Sequence, residues 1–339
     1  MVKIAIAGAS GDLAREVIDK LAEASKHKIL ALIRKVTFPA PLNTFDHMNP
    51  EFNAIPGSLA VSLDIRSQTS YEDEAELVNL FEGVETVLCF FAVLNDPGNV
   101  VQKRIIDASV KAGVKRYAPA EWATGTKLES RIDIMPWYAG KLEVSRYLEA
   151  LNEDKKVLEY TRFQIGLYMN YLGHPHKVSK YLTTMPTNID FENGRALLAE
   201  GSLDDQLTFT TAHDVAAVVA RAVEYEGEWP PVGGVQGSRV TVGELIRIAE
   251  SVRGKPFTIE WEKMEDLEAK ELKSENYIRL PFPGIPEDQL EAFSKLATVS
   301  VLLGGHHGLW DVTDEWNQLL PDYKFTQVAD FIMEIWKLK

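Results

Sequence analysis

A single lysine, Lys141, stands just inside a predicted helix that follows the fifth predicted β-strand, three residues after Tyr138. Hydride transfer to a carbonyl or a conjugated alkene builds negative charge on an oxygen, and a nearby ammonium can stabilise that charge or donate a proton. Burial can lower the pKa of a lysine towards neutrality, which suits an acid/base. Lys141 is therefore the candidate catalytic residue, with an ordinary solvent-exposed helix lysine as the alternative.

A glycine turn lies near the start of the chain, between an apolar strand predicted over 2–7 and a helix predicted over 15–24. Its spacing is Gly-x-x-Gly-x-x-Ala, with Ala14 where a third glycine is common. Glycines let the backbone approach a ligand, and the N–H groups at a helix start attract phosphate. The pattern favours a dinucleotide pyrophosphate site, and a structural turn in a nucleotide-free α/β protein is the alternative. The expected contacts are Gly8, Ser10, Gly11, Asp12 and Leu13.

The second predicted strand, 28–33, is followed by Arg34 and Lys35 and carries no carboxylate at its end. In chains that bind NAD, an acidic residue in this region accepts from the ribose 2′-OH, whereas an arginine accommodates the 2′-phosphate of NADP. Guanidinium groups match the geometry of phosphate. The two cations therefore predict NADPH/NADP as the cofactor, with a solvated strand end as the alternative.

Further cofactor contacts are expected where the later strands end. A third strand predicted over 60–64 places Asp64 and Ile65 at its tip, where they could bind the adenine amino group and pack on the adenine ring. The remaining candidate cofactor contacts, at the ends of later strands and on the helix of the catalytic candidate, are Phe91, Lys141 and Phe163.

Several large apolar side chains could line a substrate pocket, which would suit an aromatic or polyketide-like molecule. Plain core packing is the alternative for each of them. These side chains are Phe91, Trp122, Trp137, Phe163, Tyr168, Met169 and Tyr171.

The elements around these residues alternate between strand and helix five times within about 120 residues, which indicates α/β architecture with a doubly wound parallel sheet. Residues 1–165 are predicted to form the nucleotide-binding domain, with later segments returning to it, and 166–339 mainly a smaller α+β substrate lobe. Thr241 and Glu244 have the spacing of a capping box. The glycine-rich segment 304–308 is predicted to be a flexible turn.

The composition excludes several classes of partner. The chain has 339 residues, 45% apolar and 25% charged, with a net charge of −14 from 36 Lys+Arg against 50 Asp+Glu. This acidic balance argues against nucleic acid and anionic membranes. No apolar run approaches the roughly 18 residues of a membrane span, and no signal-peptide pattern is present. We expect a cytoplasmic monomer or homodimer whose partner is a small-molecule substrate.

Metal and hydrolase chemistry are not favoured either. The single cysteine, Cys89, cannot form an internal disulfide or a cysteine-based metal site. His174 and His176 lack the helical spacing and a third ligand expected of a zinc site. His306 and His307 are adjacent, and either is a candidate secondary proton donor. No Gly-x-Ser-x-Gly elbow is present.

Together these segments resemble the NmrA-like and isoflavone-reductase-like branch of the atypical short-chain dehydrogenases. The matching pieces are the glycine turn, Arg34, Lys141 and the runs 102–121 and 160–168. The likeness covers most of the chain and is densest over 1–170. It implies a Rossmann-type domain with a smaller substrate lobe, Lys141 as the acid/base, Arg34 on the 2′-phosphate and pyrophosphate in the glycine turn.

The chain departs from that family's pattern in two places. It has Ala-Glu-Trp-Ala at 120–123 where the family commonly has Ser-Glu-Phe-Gly, so a serine hydroxyl is lost. Trp137 occupies the place of the tyrosine in the Tyr-x-x-x-Lys pair, and Tyr138, displaced by one residue, is expected to point elsewhere on a helix. The chemistry is therefore expected to depend on Lys141 rather than on a tyrosine.

The sequence thus predicts an NADPH-dependent reductase that transfers hydride to a small, largely apolar, aromatic or polyketide-like carbonyl or enone, with Lys141 as acid/base. The alternative is a non-catalytic NAD(P)-sensing regulator that acts through a protein partner and need not keep this lysine. A third interpretation is an epimerase or aldol-type enzyme in which the cofactor stays bound.

Overall fold

The computed structural model describes residues 1–24, 26–34, 65–92, 96–279 and 285–337. Two of the predicted cofactor contacts, Lys35 and Asp64, lie outside these ranges. The chain divides into two compact units. The first comprises Met1–Trp122, Trp137–Phe163 and Val215–Gly233, and the second Ala123–Pro136, Gln164–Asp214 and Gly234–Lys339.

The first unit is built on a six-stranded parallel sheet with the order β3-β2-β1-β4-β5-β6. The chain starts in the middle of the sheet, extends it to one side and then crosses to the other, which is the order of a doubly wound, Rossmann-type sheet. The predicted α/β class is therefore confirmed. The strands are β1 (Lys3–Ala7), β2 (Lys28–Arg34), β3 (Ile65–Thr69), β4 (Thr86–Cys89), β5 (Arg116–Ala118) and β6 (Glu159–Tyr160).

The helices of this unit cover the sheet and share its core. Ile105 and Leu148 are fully buried with strand residues such as Ala5 and Val87. Strands that are apolar throughout are typical of a sheet covered on both faces. The helices are α1 (Asp12–Glu23), α2 (Glu74–Leu80), α3 (Val100–Lys111) and α4 (Ala139–Leu151), and α5 (Ala212–Glu224) lies mostly in this unit.

The second unit contains two three-stranded sheets, ordered β14-β10-β9 and β13-β11-β8, and several helices. None of the helices that the structure describes is long and apolar enough to cross a bilayer. The remaining strands are β7 (Arg162–Gln164), β8 (Leu167–Tyr168), β9 (Ile189–Asp190), β10 (Arg195–Ala199), β11 (Gln206–Thr210), β12 (Val232–Gly234), β13 (Ser238–Thr241) and β14 (Thr258–Glu262). The helices are α6 (Val242–Arg253), α7 (Met264–Glu268), α8 (Glu287–His306), α9 (Glu315–Leu319) and α10 (Val328–Trp336).

The capping box predicted at the start of α6 is confirmed. The Thr241 hydroxyl accepts from the Glu244 N–H at 3.0 Å, and the Glu244 carboxylate accepts from the Thr241 N–H at 2.8 Å. Two N–H groups at the start of the helix are thereby satisfied by local side chains.

The turn predicted over 304–308 is wrong for 304–306, because α8 continues through His306, and the turn begins only at 307. Gly304 lies in close packing, since a Cβ there would lie 2.8 Å from Met135 Cε and 2.9 Å from Trp310 Nε1. Tertiary contact has overridden the low helix propensity of glycine at this position.

The strand predicted over 60–64 lies outside the described residues. In the described chain β3 runs from Ile65 to Thr69, with Leu30 opposite Ile65 and Arg34 opposite Thr69. Ile65 therefore lies four residues before the end of the strand rather than at its tip. The residues of β3 are mostly polar, so this strand lacks the apolar run that predicts a buried strand.

Candidate functional site

The glycine turn follows β1 at the carboxyl end of the first unit's sheet. Gly8 has a φ of +76°, and a Cβ there would lie 3.0 Å from Phe91 Cδ1 and 3.2 Å from the carbonyl carbon of Phe90. Both the conformation and the close approach require glycine. Gly11 is the N-cap residue of α1 and has no side chain to accept from the first N–H groups of the helix. A ligand or water must satisfy those groups, as in anion sites at helix starts.

The other three turn residues of the prediction differ in exposure. Ser10 is exposed, Asp12 is half-buried in the first turn of α1, and Leu13 is buried. Because the Leu13 side chain packs into the core, only its backbone could contact a phosphate. The contacts predicted for these residues stay predictions.

A buried tyrosine, which the sequence analysis did not single out, holds this turn. The Tyr71 hydroxyl donates to the Leu32 carbonyl at 2.8 Å and accepts from the Gly8 N–H at 3.2 Å. Its ring packs edge-on against Phe91 at 5.1 Å between centroids, and burial raises the pKa of the phenol. Tyr71 comes two residues after β3 ends, beyond the strand that was predicted over 60–64.

We expect Tyr71→Phe to destabilise the protein by about 1–3 kcal/mol, because it leaves a buried backbone N–H and carbonyl without this partner. Urea unfolding followed by circular dichroism measures the change. Tyr160→Phe is the matched control, since Tyr160 is also buried but its hydroxyl has no hydrogen-bond partner among the described residues. Equal losses in the two variants would contradict a specific role for the Tyr71 hydroxyl.

Arg34 is exposed at the end of β2, level with Thr69 of β3. The Thr69 side chain is buried, and its hydroxyl donates to Glu76 at 2.8 Å. At the ends of β2 and β3, the exposed guanidinium of Arg34 thus lies beside the buried Thr69.

Aromatic rings stack at the opposite half of the sheet edge. Trp122 lies between Phe90 and Phe163, with centroids 4.5 Å and 5.1 Å away and nearly parallel planes. The Trp122 indole N–H donates to the Cys89 carbonyl at 2.8 Å. Phe163 is fully buried and one of its faces is covered by Trp122, whereas Phe91 is half-buried beside the glycine turn. Of these two predicted cofactor contacts, Phe91 is the more accessible.

Lys141 lies in the first turn of α4 and is only 6% exposed. Its Nζ donates a hydrogen bond to the backbone carbonyl of Glu121 and lies 4.2 Å from the ring centroid of Tyr138. Tight packing sets the start of this helix, because a Cβ on Gly140 would lie 2.8 Å from Asn99 Oδ1. The catalytic candidate is thus a buried lysine, not the solvent-exposed one of the alternative.

The expectation that Tyr138 points elsewhere is wrong. Pro136–Tyr138 form a 3₁₀ turn before α4 rather than part of the α-helix, so helical spacing does not apply to Tyr138. Its ring lies against the Lys141 ammonium as a cation–π partner. Desolvation and the charge of Glu121 raise the pKa of Tyr138 to about 12, which keeps the phenol neutral.

Burial gives Lys141 the electrostatics of an acid/base. Desolvation lowers the pKa of Lys141 to about 8, against the opposing effect of the Glu121 charge. Burial likewise raises the pKa of Glu121, while the cations Lys141 and Arg162 act in the other direction. A lysine in this environment can exchange its proton near neutral pH.

A chain of polar contacts supports the loop that holds Glu121. Asp96 accepts from the N–H groups of Val101 and Gln102, at 3.0 Å and 2.8 Å, at the start of α3. The Gln102 side chain in turn accepts from the Ala120 N–H at 2.8 Å. Gln102 belongs to a segment that matched the family pattern, but no property of the sequence indicated this positioning role.

The two adjacent histidines, His306 and His307, have side-chain partners in the second unit. His306 lies 3.1 Å from an Asp205 carboxylate oxygen, and His307 Nδ1 lies 2.8 Å from Arg131 Nη1. Burial and the Arg131 charge lower the pKa of His307. Among the described residues no group of three His, Cys, Asp or Glu side chains is arranged to hold a metal ion. A role for His306 or His307 as a proton donor stays a prediction.

A Rossmann-type sheet with a glycine turn after its first strand is the architecture of a class of dinucleotide-binding folds. The chain belongs to the NmrA-like family, whose model matches residues 2–332. The resemblance found in the sequence is therefore confirmed.

Similar proteins span the whole chain. Oxidoreductase swnN of Metarhizium robertsii is 20% identical over 356 aligned positions, covering 100% of this chain and 98% of that protein. The solved structure of AtPrR2 with NADP+ and (+)pinoresinol matches with a TM-score of 0.67 at 17% identity, covering 98% of both chains. NADPH-dependent quinone oxidoreductase QOR2 from Escherichia coli, complexed with NADPH, matches with a TM-score of 0.63 at 22% identity, covering 98% of this chain and 99% of that one. At these identities the structural matches show a shared fold.

Proposed function

We propose that this protein is an NADPH-dependent reductase of a small, largely apolar, aromatic or polyketide-like carbonyl or enone, with Lys141 as its acid/base. The observation that carries the proposal is the buried Lys141 ammonium, whose pKa is lowered to about 8. Burying an ammonium group costs free energy. Groups with perturbed pKa values of this kind cluster at active sites.

The residues of the first unit fit an NADP-type dinucleotide. Gly8 has a φ that favours glycine and lies too close to Phe91 for a Cβ, and the start of α1 has no side-chain cap at Gly11. Arg34 offers an exposed guanidinium for the 2′-phosphate. AtPrR2 and QOR2, which share the fold, were solved with NADP+ and NADPH. We assign cofactor binding to the first unit and mainly substrate recognition to the second.

The chemistry then divides between cofactor and protein. The bound cofactor supplies a hydride. Lys141 holds a proton at Nζ and can donate it to a substrate oxygen that gains negative charge. Tyr138, which stays neutral, and the Glu121 carbonyl hold the amine in place. We assign no proton transfer to Tyr138.

The substrate class rests on the aromatic surroundings and on the relatives. Phe90 and Phe91 are half-buried after β4, and the buried Trp122 stacks on Phe90. The AtPrR2 structure contains (+)pinoresinol and QOR2 is named a quinone oxidoreductase, so a small-molecule substrate is supported.

NADPH binding can be tested first, and substrate turnover second. Titration of the purified protein with NADPH, followed by quenching of tryptophan fluorescence, is expected to show saturable binding that is tighter than for NADH. The loaded protein is then mixed with quinones and small aromatic enones, and the loss of NADPH fluorescence is followed. Absence of NADPH binding by folded protein would overturn the proposal.

The same experiment separates the reductase from the regulator that the sequence left open. Binding of NADPH without consumption by any of these acceptors would favour a dinucleotide sensor. The buried lysine favours the enzyme, because a sensor has no use for a group that exchanges protons near neutral pH.

A further inference from the structure

Trp122 has a backbone conformation that is rare for a bulky residue. Its φ is +46°, in the left-handed region that favours glycine, although the residue is buried. A side chain makes this conformation energetically unfavourable, so it persists only where the surrounding contacts hold it. Residues of this kind are concentrated at functional sites. Trp122 directly follows Glu121, whose carbonyl binds Lys141, so its conformation bears on the catalytic candidate.

The indole ring of Trp122 is held by one hydrogen bond and two stacked rings. Its N–H donates to the carbonyl of Cys89, the last residue of β4, at 2.8 Å. Phe90 and Phe163 stack on it, with centroids 4.5 Å and 5.1 Å away and planes 9° and 8° from parallel. All of these residues belong to the first unit. The Trp122 side chain is therefore anchored in that unit, and the contacts offset the unfavourable backbone conformation.

The peptide group between Glu121 and Trp122 is bound at both of its polar ends. Its N–H donates to the Phe163 carbonyl at 3.0 Å. Its carbonyl, which belongs to Glu121, accepts from Lys141 Nζ. The φ angle of Trp122 describes the rotation of this planar group about the bond between N and Cα. Because the indole is anchored, the left-handed φ sets the direction in which the Glu121 carbonyl points.

The position of the Lys141 amine depends on this carbonyl. The amine is buried and carries three N–H donors when it is protonated. Among the residues that the structure describes, the Glu121 carbonyl is the hydrogen-bond acceptor of the amine, and the Tyr138 ring centroid lies 4.2 Å away. A ring face constrains the direction of a cation less than a hydrogen bond does. Rotation of the Glu121 carbonyl would thus remove the directional contact of the amine.

We propose that Trp122 is a positioning residue for Lys141: its anchored indole holds the left-handed backbone that directs the Glu121 carbonyl at the lysine amine. The proposal rests on the proposed function in that Lys141 is the acid of the reduction. Trp122 takes no part in proton transfer. Its effect on Lys141 passes through the peptide group that precedes it.

The test compares Trp122→Ala with Trp122→Gly, two variants that both lack the ring and differ by one methyl group. Glycine adopts the left-handed conformation without steric cost, whereas alanine favours a negative φ, which turns the Glu121 carbonyl away from the amine. The Lys141 amine is titrated by NMR in protein labelled with 13C at lysine Cε. Its signal is identified by its absence from Lys141→Met. No substrate is present, so a contact between the ring and a substrate does not affect the result.

The expected result is a lower titration midpoint for Lys141. A hydrogen bond donated by the charged amine favours that form, so its loss lowers the pKa. We expect a midpoint of about 8 in the natural protein, a fall of about one unit in Trp122→Ala and a smaller fall in Trp122→Gly. Tyr138 and Glu121, the titratable groups that act on this amine, are present in every variant. An unchanged midpoint in folded Trp122→Ala, or equal falls in the two variants, would overturn the proposal.

Two phenylalanine variants complete the test. Trp122→Phe keeps a stacked ring but loses the indole N–H, so a smaller fall is expected than in Trp122→Ala. It replaces Trp122→Ala if that variant does not fold, and an unchanged midpoint would then overturn the proposal. Trp229→Phe is the matched control, because Trp229 is a buried tryptophan of the same unit whose indole N–H donates to the Ala222 carbonyl at 2.9 Å. Its midpoint should be that of the natural protein, and an equal fall in this control would contradict a specific role for Trp122.

A second readout connects the titration to activity. Reduction needs the protonated amine, so kcat is expected to be constant below the Lys141 pKa of about 8 and to fall as the pH rises through it. In Trp122→Ala the constant value should be about 10- to 100-fold lower, because the acid is misplaced, and the fall should begin at lower pH by the same shift as the NMR midpoint. A shifted NMR midpoint in a protein that consumes no NADPH would support the role of Trp122 but refute the reductase, so the two failures are distinguishable.

Discussion

Replacing Lys141 by methionine is expected to lower kcat for NADPH-dependent reduction by about 10²- to 10⁴-fold, the usual contribution of a positioned acid or base. Methionine is a flexible apolar side chain that can occupy the buried space beside Tyr138, but it carries no proton to donate. NADPH affinity should change little, because the glycine turn and Arg34 are untouched. The measurement is a pair of assays, fluorescence titration for binding and NADPH consumption for turnover.

Two matched variants separate proton transfer from general damage. Lys155→Met replaces an exposed lysine of the same unit by the same residue and should keep full activity. Lys141→Arg keeps a positive charge, but a guanidinium does not give up its proton, so its kcat should remain low. Full activity of the arginine variant would mean that charge alone is required, and unchanged turnover in Lys141→Met would rule out the proposed mechanism.

The parallel sheet and its glycine turn could be predicted because their signals are local. β1 is apolar along its length, and the turn that follows has its glycines at fixed positions. The capping box at Thr241 and Glu244 could be predicted for the same reason, since its two hydrogen bonds join residues three apart.

The features that could not be predicted depend on contacts between distant parts of the chain. Gly304 lies inside α8, where Met135 and Trp310 pack closely against it, and no local pattern indicates that contact. Tyr71 reaches the glycine turn across 63 positions of sequence. The polar edge strand β3 lacks the apolar run that predicts a buried strand.

Only the position of the candidate catalytic residue could be predicted, because its surroundings also depend on contacts between distant parts of the chain. Lys141 could be selected by its place after the fifth strand, but its burial, which lowers its pKa, follows from tertiary packing beside Tyr138. The direction predicted for Tyr138 assumed α-helical spacing, but this residue lies in a 3₁₀ turn. The charge environment of a catalytic residue is thus a tertiary property even where its position in the sequence is predictable.

Replacing Arg34 by alanine is expected to weaken NADPH binding by about 10- to 100-fold, which corresponds to the loss of one charge-assisted hydrogen bond of about 1.5–3 kcal/mol. NADH lacks the 2′-phosphate, so its affinity should change far less. Arg34 is exposed at the end of β2, so its removal should not disturb the sheet. Parallel fluorescence titrations with the two cofactors, in the natural protein and the variant, measure the ratio directly.

The comparison of cofactors within one variant makes this test independent of folding. A variant with a damaged glycine turn would lose affinity for both dinucleotides, since both carry the pyrophosphate that the turn is proposed to bind. Arg34→Lys retains a charge but not the bidentate fork, so it should recover part of the NADPH affinity and with it part of the discrimination against NADH. An equal loss of NADPH and NADH affinity in Arg34→Ala would show that Arg34 does not bind the 2′-phosphate, and Lys35 would then be the next cation along the chain to test.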